Sequence, residues 1–86
     1  MNKYDIELRR TCYACPEQYD AINIVTNERV GYLRLRHGHF TVEVPDVWGE
    51  LVYESYPRGD GIFEKDERTN ELTKAILAIA DYYKGE

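Results

Sequence analysis

Residues 30–44 read Val-Gly-Tyr-Leu-Arg-Leu-Arg-His-Gly-His-Phe-Thr-Val-Glu-Val, and this stretch constrains the fold more than any other. Two runs of period-two alternation flank His37-Gly38, which is the pattern of a β-hairpin. With His37 and Gly38 as the central turn residues, Arg36 pairs with His39, Leu35 with Phe40, Arg34 with Thr41 and Leu33 with Val42. All four large apolar side chains then share one face. Tyr32, Arg34, Arg36, His39, Thr41 and Glu43 share the other. A slip by one residue would mix the two sets, so the register is well specified.

The remaining segments arrange themselves around this hairpin. Tyr4, Ile6 and Leu8 alternate with Asp5, Glu7 and Arg9, as in a first strand. Residues 11–16 form a loop that holds both cysteines. Residues 18–25 read as a second strand, because Ile22-Asn23-Ile24-Val25 is rich in β-formers and too short to pack as a helix. It ends at the turn Thr26-Asn27-Glu28-Arg29. Pairing Val25 with Val30 puts Ile22 beside Leu33 on the apolar face, Asn23 beside Tyr32 on the polar face, and Tyr19 opposite Arg36. Pro45-Asp46-Val47-Trp48-Gly49 interrupts the sheet before a strand over Glu50–Ser55. Pro57-Arg58-Gly59-Asp60-Gly61 is a strong break. The spacing of Leu72, Ile76, Ile79 and Tyr83 predicts a helix over residues 66–84, with Asp66 as N-cap and Gly85 as the C-terminal stop.

The expected fold is α+β: an antiparallel meander of about five strands with one long C-terminal helix packed on one face, residues 1–86 forming a single domain. At 86 residues such a domain buries its surface incompletely. Homo-oligomerisation is the expected remedy. No apolar run approaches the length of a membrane span and the first residues hold no signal-peptide core, so a cytoplasmic location without membrane contact is expected.

Sixteen acids against eleven bases give a net charge of −5, which argues against direct nucleic-acid binding. The charge is uneven, because residues 29–42 hold three Arg, two His and no acid. Eight Tyr is a high count for this length, and Tyr serves contact surfaces as well as cores.

Several motifs offer chemistry. Cys12-Tyr-Ala-Cys15 is a CxxC which, together with Val44-Pro45, is similar to elements of glutaredoxins. A redox cysteine needs a helix N-terminus to lower its pKa, and the residues after Cys15 read as extended. Cys12, Cys15, His37 and His39 also make a four-ligand set for zinc, although His-x-His is tighter than the usual spacing and the two histidines sit at a turn and on the open face. Free thiols and no cofactor are the expectation, since cytosolic cysteines stay reduced. Gly59 and Gly61 precede a helix but lack the Lys of a phosphate-binding loop. Arg58-Gly59-Asp60 reads as a turn.

A single helix covers one face of the sheet, which leaves the other open. The expected binding residues are those assigned to it: Tyr19, Asn23, Tyr32, Arg34, Arg36 and His39. Arg offers a fork matched to carboxylate or phosphate, and Tyr a ring on which a base can stack.

Cys15-Pro16-Glu17-Gln18-Tyr19-Asp20, Gly31-Tyr-Leu-Arg-Leu-Arg-His-Gly38 and Gly59-Asp60-Gly61-Ile-Phe-Glu64 resemble stretches in short proteins of phages, prophages and mobile elements of Gram-positive bacteria, to which no activity is assigned. The resemblance implies a non-enzymatic protein that acts by binding. The leading expectation is an inhibitor that occludes a host protein complex of anti-phage defence. The alternative is a protein that sequesters an anionic nucleotide signal on the Tyr/Arg face. A zinc- or thiol-dependent protein using Cys12 and Cys15 ranks last.

Overall fold

The structure, a computed structural model, describes residues 1–12 and 16–84. Among these residues five strands form one antiparallel meander in the order β1-β2-β3-β4-β5: β1 Ile6–Cys12, β2 Glu17–Asn23, β3 Glu28–Arg36, β4 His39–Val44 and β5 Glu50–Ser55. A 3₁₀ turn over Lys3–Asp5 precedes them and helix α1, Lys65–Tyr82, follows. The α+β meander with a C-terminal helix is therefore the fold.

The β3–β4 hairpin has the register read from its alternation, with Leu33 opposite Val42, Leu35 opposite Phe40 and Arg36 opposite His39. Its turn is the kind that matches strand twist: His37 and Gly38 both have positive φ, 52° and 73°. Leu33, Leu35, Phe40 and Val42 are fully buried against α1 and Phe63. The helix contributes Ala75 and Ile79 to that core, with Leu72, Ile76, Ala80 and Tyr83 half-buried around them.

Strand β2 departs from expectation, and the departure moves two site residues. Asn23 pairs with Glu28, not with Tyr32, and Tyr19 pairs with Leu33, not with Arg36. Ile24 and Val25 belong to the turn, where they are exposed. The Asn23 side chain causes this, because its Oδ1 accepts from the N–H of Val25 at 2.9 Å and of Thr26 at 3.4 Å, and Asn27 supplies a left-handed residue at φ 62°. At Tyr19 the ladder is displaced by three residues, an odd number, which puts Tyr19 on the opposite face from the one expected; past the irregularity between Ala21 and Ile22 the displacement is four. Tyr19 lies on the core face and is buried, as is Ala21. Ile22 pairs with Glu7 and Arg29 instead of lying beside Leu33.

A charged group sits inside this core. Glu17, on the same face as Tyr19, is completely buried. Its carboxylate accepts from Arg68 Nε at 2.9 Å, Arg68 Nη2 at 3.1 Å, the Phe63 N–H at 3.0 Å and the Tyr19 hydroxyl, with Arg10 3.7 Å away. Burial alone would raise its pKa; the hydrogen bonds from Arg68, Tyr19 and Phe63 and the charge of Arg10 outweigh that and hold it below the ordinary carboxylate value. Tyr19 is pushed up to about 12 by burial and by the neighbouring Glu17 carboxylate.

Helix α1 begins one residue before the expected start, with Glu64 and not Asp66 as N-cap. Asp66 instead pairs with Arg58 at 2.6 Å. Gly85, expected as the stop, lies outside the described residues.

Candidate functional site: the open face of the sheet

The sheet face away from α1 carries Tyr32, Arg34 and Arg36 from β3 and His39, Thr41 and Glu43 from β4, because residues two apart on a strand share a side. Arg34, Arg36, His37, His39 and Thr41 line a shallow groove of about 330 Å³. That volume is at the low end of small-molecule sites.

The arginines of this chain divide sharply. Five of the seven engage carboxylates: Arg9 with Glu7, Arg10 and Arg68 with Glu17, Arg29 with Asp20 and Asp46, and Arg58 with Glu64, Asp66 and Glu67. The side chains of Arg34 and Arg36 make no hydrogen bond or ion pair with the described residues. They stand two residues apart on one strand, about 7 Å by strand rise, Arg36 exposed and Arg34 half-buried.

Beside them is an aromatic step that β3 and β4 alone do not disclose. Strand β5 brings Glu54 opposite Thr41 and Ser55 opposite Phe40, so the next residue, Tyr56, falls beside His39. The two rings stack with centroids 4.6 Å apart and planes 4° from parallel. His39 Nε2 lies 3.0 Å from Glu54 Oε1, which also accepts from the Tyr56 hydroxyl at 3.5 Å. The carboxylate fixes the imidazole plane, and the imidazole in turn seats the phenol ring. Tyr56 remains 75% exposed, so its outer face is free for a further ring. Alternation within β3 and β4 does not point to Glu54 and Tyr56; pairing β5 onto β4 does.

The structure therefore brings together four of the six expected residues, Tyr32, Arg34, Arg36 and His39, and sets the other two apart. Tyr19 is committed to Glu17 in the core, and Asn23 caps the β2–β3 turn. Of the zinc set, Cys15 lies outside the described residues, Cys12 is a half-buried thiol on the β1 edge strand, and His39 is engaged by Glu54 and Tyr56. Among the described residues no three His, Cys, Asp or Glu converge as metal ligands.

The glycine loop before α1 is already filled by the chain itself. Glu67 takes the N–H groups of Arg58 at 3.0 Å, Gly59 at 2.8 Å and Glu64 at 2.9 Å, the positions at which an incoming phosphate would be held. Burial would raise the Glu67 carboxyl, yet these backbone donors and Arg58 hold it below its ordinary value. The loop is a structural clasp. No helix among the described residues is long and apolar enough to cross a membrane. Comparisons with protein families, with curated proteins and with solved structures each find no match to this chain.

Proposed function

We propose that this protein acts by binding, without catalysis, and that its open sheet face holds an anionic ligand of the nucleotide class. One observation carries the reading: Arg34 and Arg36 are the arginines left without a carboxylate among the described residues, in a chain whose net charge is −5. An acidic protein that pairs its other arginines and holds two adjacent forks free has a ready receptor for phosphate. The stacked His39–Tyr56 step supports the rest of the ligand, since an exposed ring is a platform for a base. Thr41 adds a hydroxyl that can donate or accept. Biologically this is sequestration: a phage-type protein that withholds a signalling nucleotide from a host defence system.

The test is native mass spectrometry of freshly purified protein, which reports subunit count and any retained ligand, followed by thermal shifts with AMP, ADP, a cyclic dinucleotide, adenosine and inorganic phosphate. A nucleotide at a hundredfold excess over its Kd adds about 2.7 kcal/mol, or at least about 10 °C in a domain of this size. Nucleotides are expected to outperform both adenosine and phosphate. Equal, negligible shifts from all five compounds refute the reading.

A second reading, an inhibitor that occludes a protein surface of a host complex, is favoured by a different observation: the indole of Trp48 is 88% exposed. Such a ring is a typical anchor of protein interfaces.

A further inference from the structure

Trp48 lies in the turn between β4 and β5, residues 45–49, with φ of 66°. That is left-handed backbone, an outlier for a bulky side chain. The turn is nonetheless tightly built. Arg29 Nη1 holds Asp46 Oδ2 at 2.7 Å, Asp46 Oδ1 accepts from the Val47 N–H at 2.7 Å, and the Gly49 N–H returns to the Asp46 carbonyl at 3.0 Å. A Cβ at Gly49 would stand 2.1 Å from the Val44 carbonyl oxygen, so the chain passes where only glycine fits. The backbone thus fixes the chain's single tryptophan in an uncommon conformation and presents its ring to solvent. Such a conformation is costly and persists only where the surrounding bonds hold it.

The surroundings of the turn indicate what the ring meets. The β2–β3 turn lies at the same end of the sheet, tied to it through Arg29 and Asp46, and adds exposed Ile24 and Val25; Val47 and Leu51 are exposed beside the indole in sequence. Arg29, the nearby arginine, is neutralised by Asp20 and Asp46. Glu28 at the start of β3, Glu43 near the end of β4 and Glu50 at the start of β5 lie at this end of the sheet and have no ion pair with the described residues. Three carboxylates without an ion pair therefore lie at this end of the sheet, with the Met1 ammonium and the neutralised Arg29 in the cleft beside Glu28. Two copies meeting tip to tip would oppose like charges, and an anionic lipid surface or a nucleic acid would be repelled.

We infer that the Trp48 turn docks into an apolar slot on a basic protein surface of the kind that binds nucleic acid. Such surfaces combine positive charge with aromatic and apolar positions for bases, which complements an indole with carboxylates at the same end of the sheet. The inference rests on the occlusion reading and supplies its partner class. Arg34 and Arg36 take no part in it.

The test uses the heparin-retained proteins of a bacterial lysate as probe, passed over immobilised wild type, Trp48→Ala, Trp48→Asn and, as control, Lys74→Glu, an exposed helix charge. Asn tolerates left-handed backbone, so Trp48→Asn removes the ring without adding strain. Wild type and Lys74→Glu are expected to retain a protein that added double-stranded DNA displaces, and both Trp48 variants to lose at least tenfold of it. The purified partner should then shift the fluorine resonance of wild type labelled with 5-fluorotryptophan, which reports Trp48 alone. Equal retention by wild type and the Trp48 variants overturns the inference, as does a resonance that moves with this protein's own concentration. A Trp48-dependent partner that DNA does not displace overturns the inference and leaves the occlusion reading standing. Retention of nothing from this basic fraction overturns the inference; if the whole lysate yields nothing either, the occlusion reading falls with it.

Discussion

Arg68 on α1 reaches 51 residues back along the sequence to Glu17 on β2, donating from Nε and Nη2 to a carboxylate with no solvent exposure. Helix and sheet are joined there by charge as well as by the apolar layer. Glu17 also takes the Phe63 N–H, and its own N–H donates to the Gly61 carbonyl, so the loop leading into the helix is fastened to the same strand.

Removing one partner of such a pair costs more than the pair contributes, because the other charge stays buried. Arg68→Ala is expected to destabilise the fold by about 3 kcal/mol, the low end for a broken buried pair, since Arg10 and the Phe63 N–H remain on Glu17. Urea unfolding measures this directly. A loss under about 1 kcal/mol, the value of an exposed pair, would mean that water reaches the carboxylate.

The pH dependence follows from the same cluster. Glu17 is held below its ordinary value of 4.5, so the unfolded chain binds the extra proton in that range. Its contribution is present above the unfolded value and is lost as pH falls through the folded one. Tyr19 behaves oppositely: raised from 10.0 to about 12, it stabilises fully below pH 10 and loses its contribution between 10 and 12. Urea midpoints across pH should therefore fall at both ends. Glu17→Gln should flatten the acid limb and Tyr19→Phe the alkaline limb. Unchanged limbs in these variants would assign the titration to other groups.

The face assignment of the hairpin has its own test. Leu33 and Val42 are fully buried and opposite each other, whereas Thr41 is half-exposed on the other side. Leu33→Asp or Val42→Asp should unfold the protein, because an unpaired charge would enter the apolar layer. Thr41→Asp should leave the circular dichroism spectrum and the urea midpoint nearly unchanged. Comparable damage from both classes would mean that the two faces are alike in burial.

The hairpin was legible because apolar and polar residues alternate over 33–36 and 39–44 on the two sides of His37-Gly38, and no other register keeps Leu33, Leu35, Phe40 and Val42 together. Strand β5 was legible from its breakers, with Pro45 to Gly49 before it and Pro57 after it. Strand β2 was not. Its inward face carries Glu17 and Tyr19, a charge and a hydroxyl that are acceptable inside only because Arg68 lies across from them in space. Its most hydrophobic run, Ile22 to Val25, is split between a strand end and a turn closed by the Asn23 side chain. Periodicity describes apolar cores and has no term for a buried ion pair formed across 51 residues. The same limit applies at the site: Arg34 and Arg36 were visible from strand alternation, but that their charges go unanswered depends on where the acids fold.

The open face gives the last prediction. Arg34→Glu combined with Arg36→Glu should preserve the fold, since neither side chain bonds to the described residues, and should abolish the thermal shift with a nucleotide. Truncating either arginine to Ala should cost about 2 kcal/mol, roughly thirtyfold in Kd, the scale of a binding hot spot. Tyr56→Ala separates the two parts of the ligand. It removes the exposed ring while leaving both arginines, so affinity for a nucleotide should fall and the weak response to inorganic phosphate should persist. Lys74→Glu, an exposed charge on the far side of α1, is the control and should change nothing beyond long-range screening. Isothermal titration of the five variants with one nucleotide and with phosphate decides the matter. Undiminished nucleotide affinity in the double Arg variant would move the site off this face, and loss of phosphate response in Tyr56→Ala would show that the ring holds the anion site together and does not stack on the base.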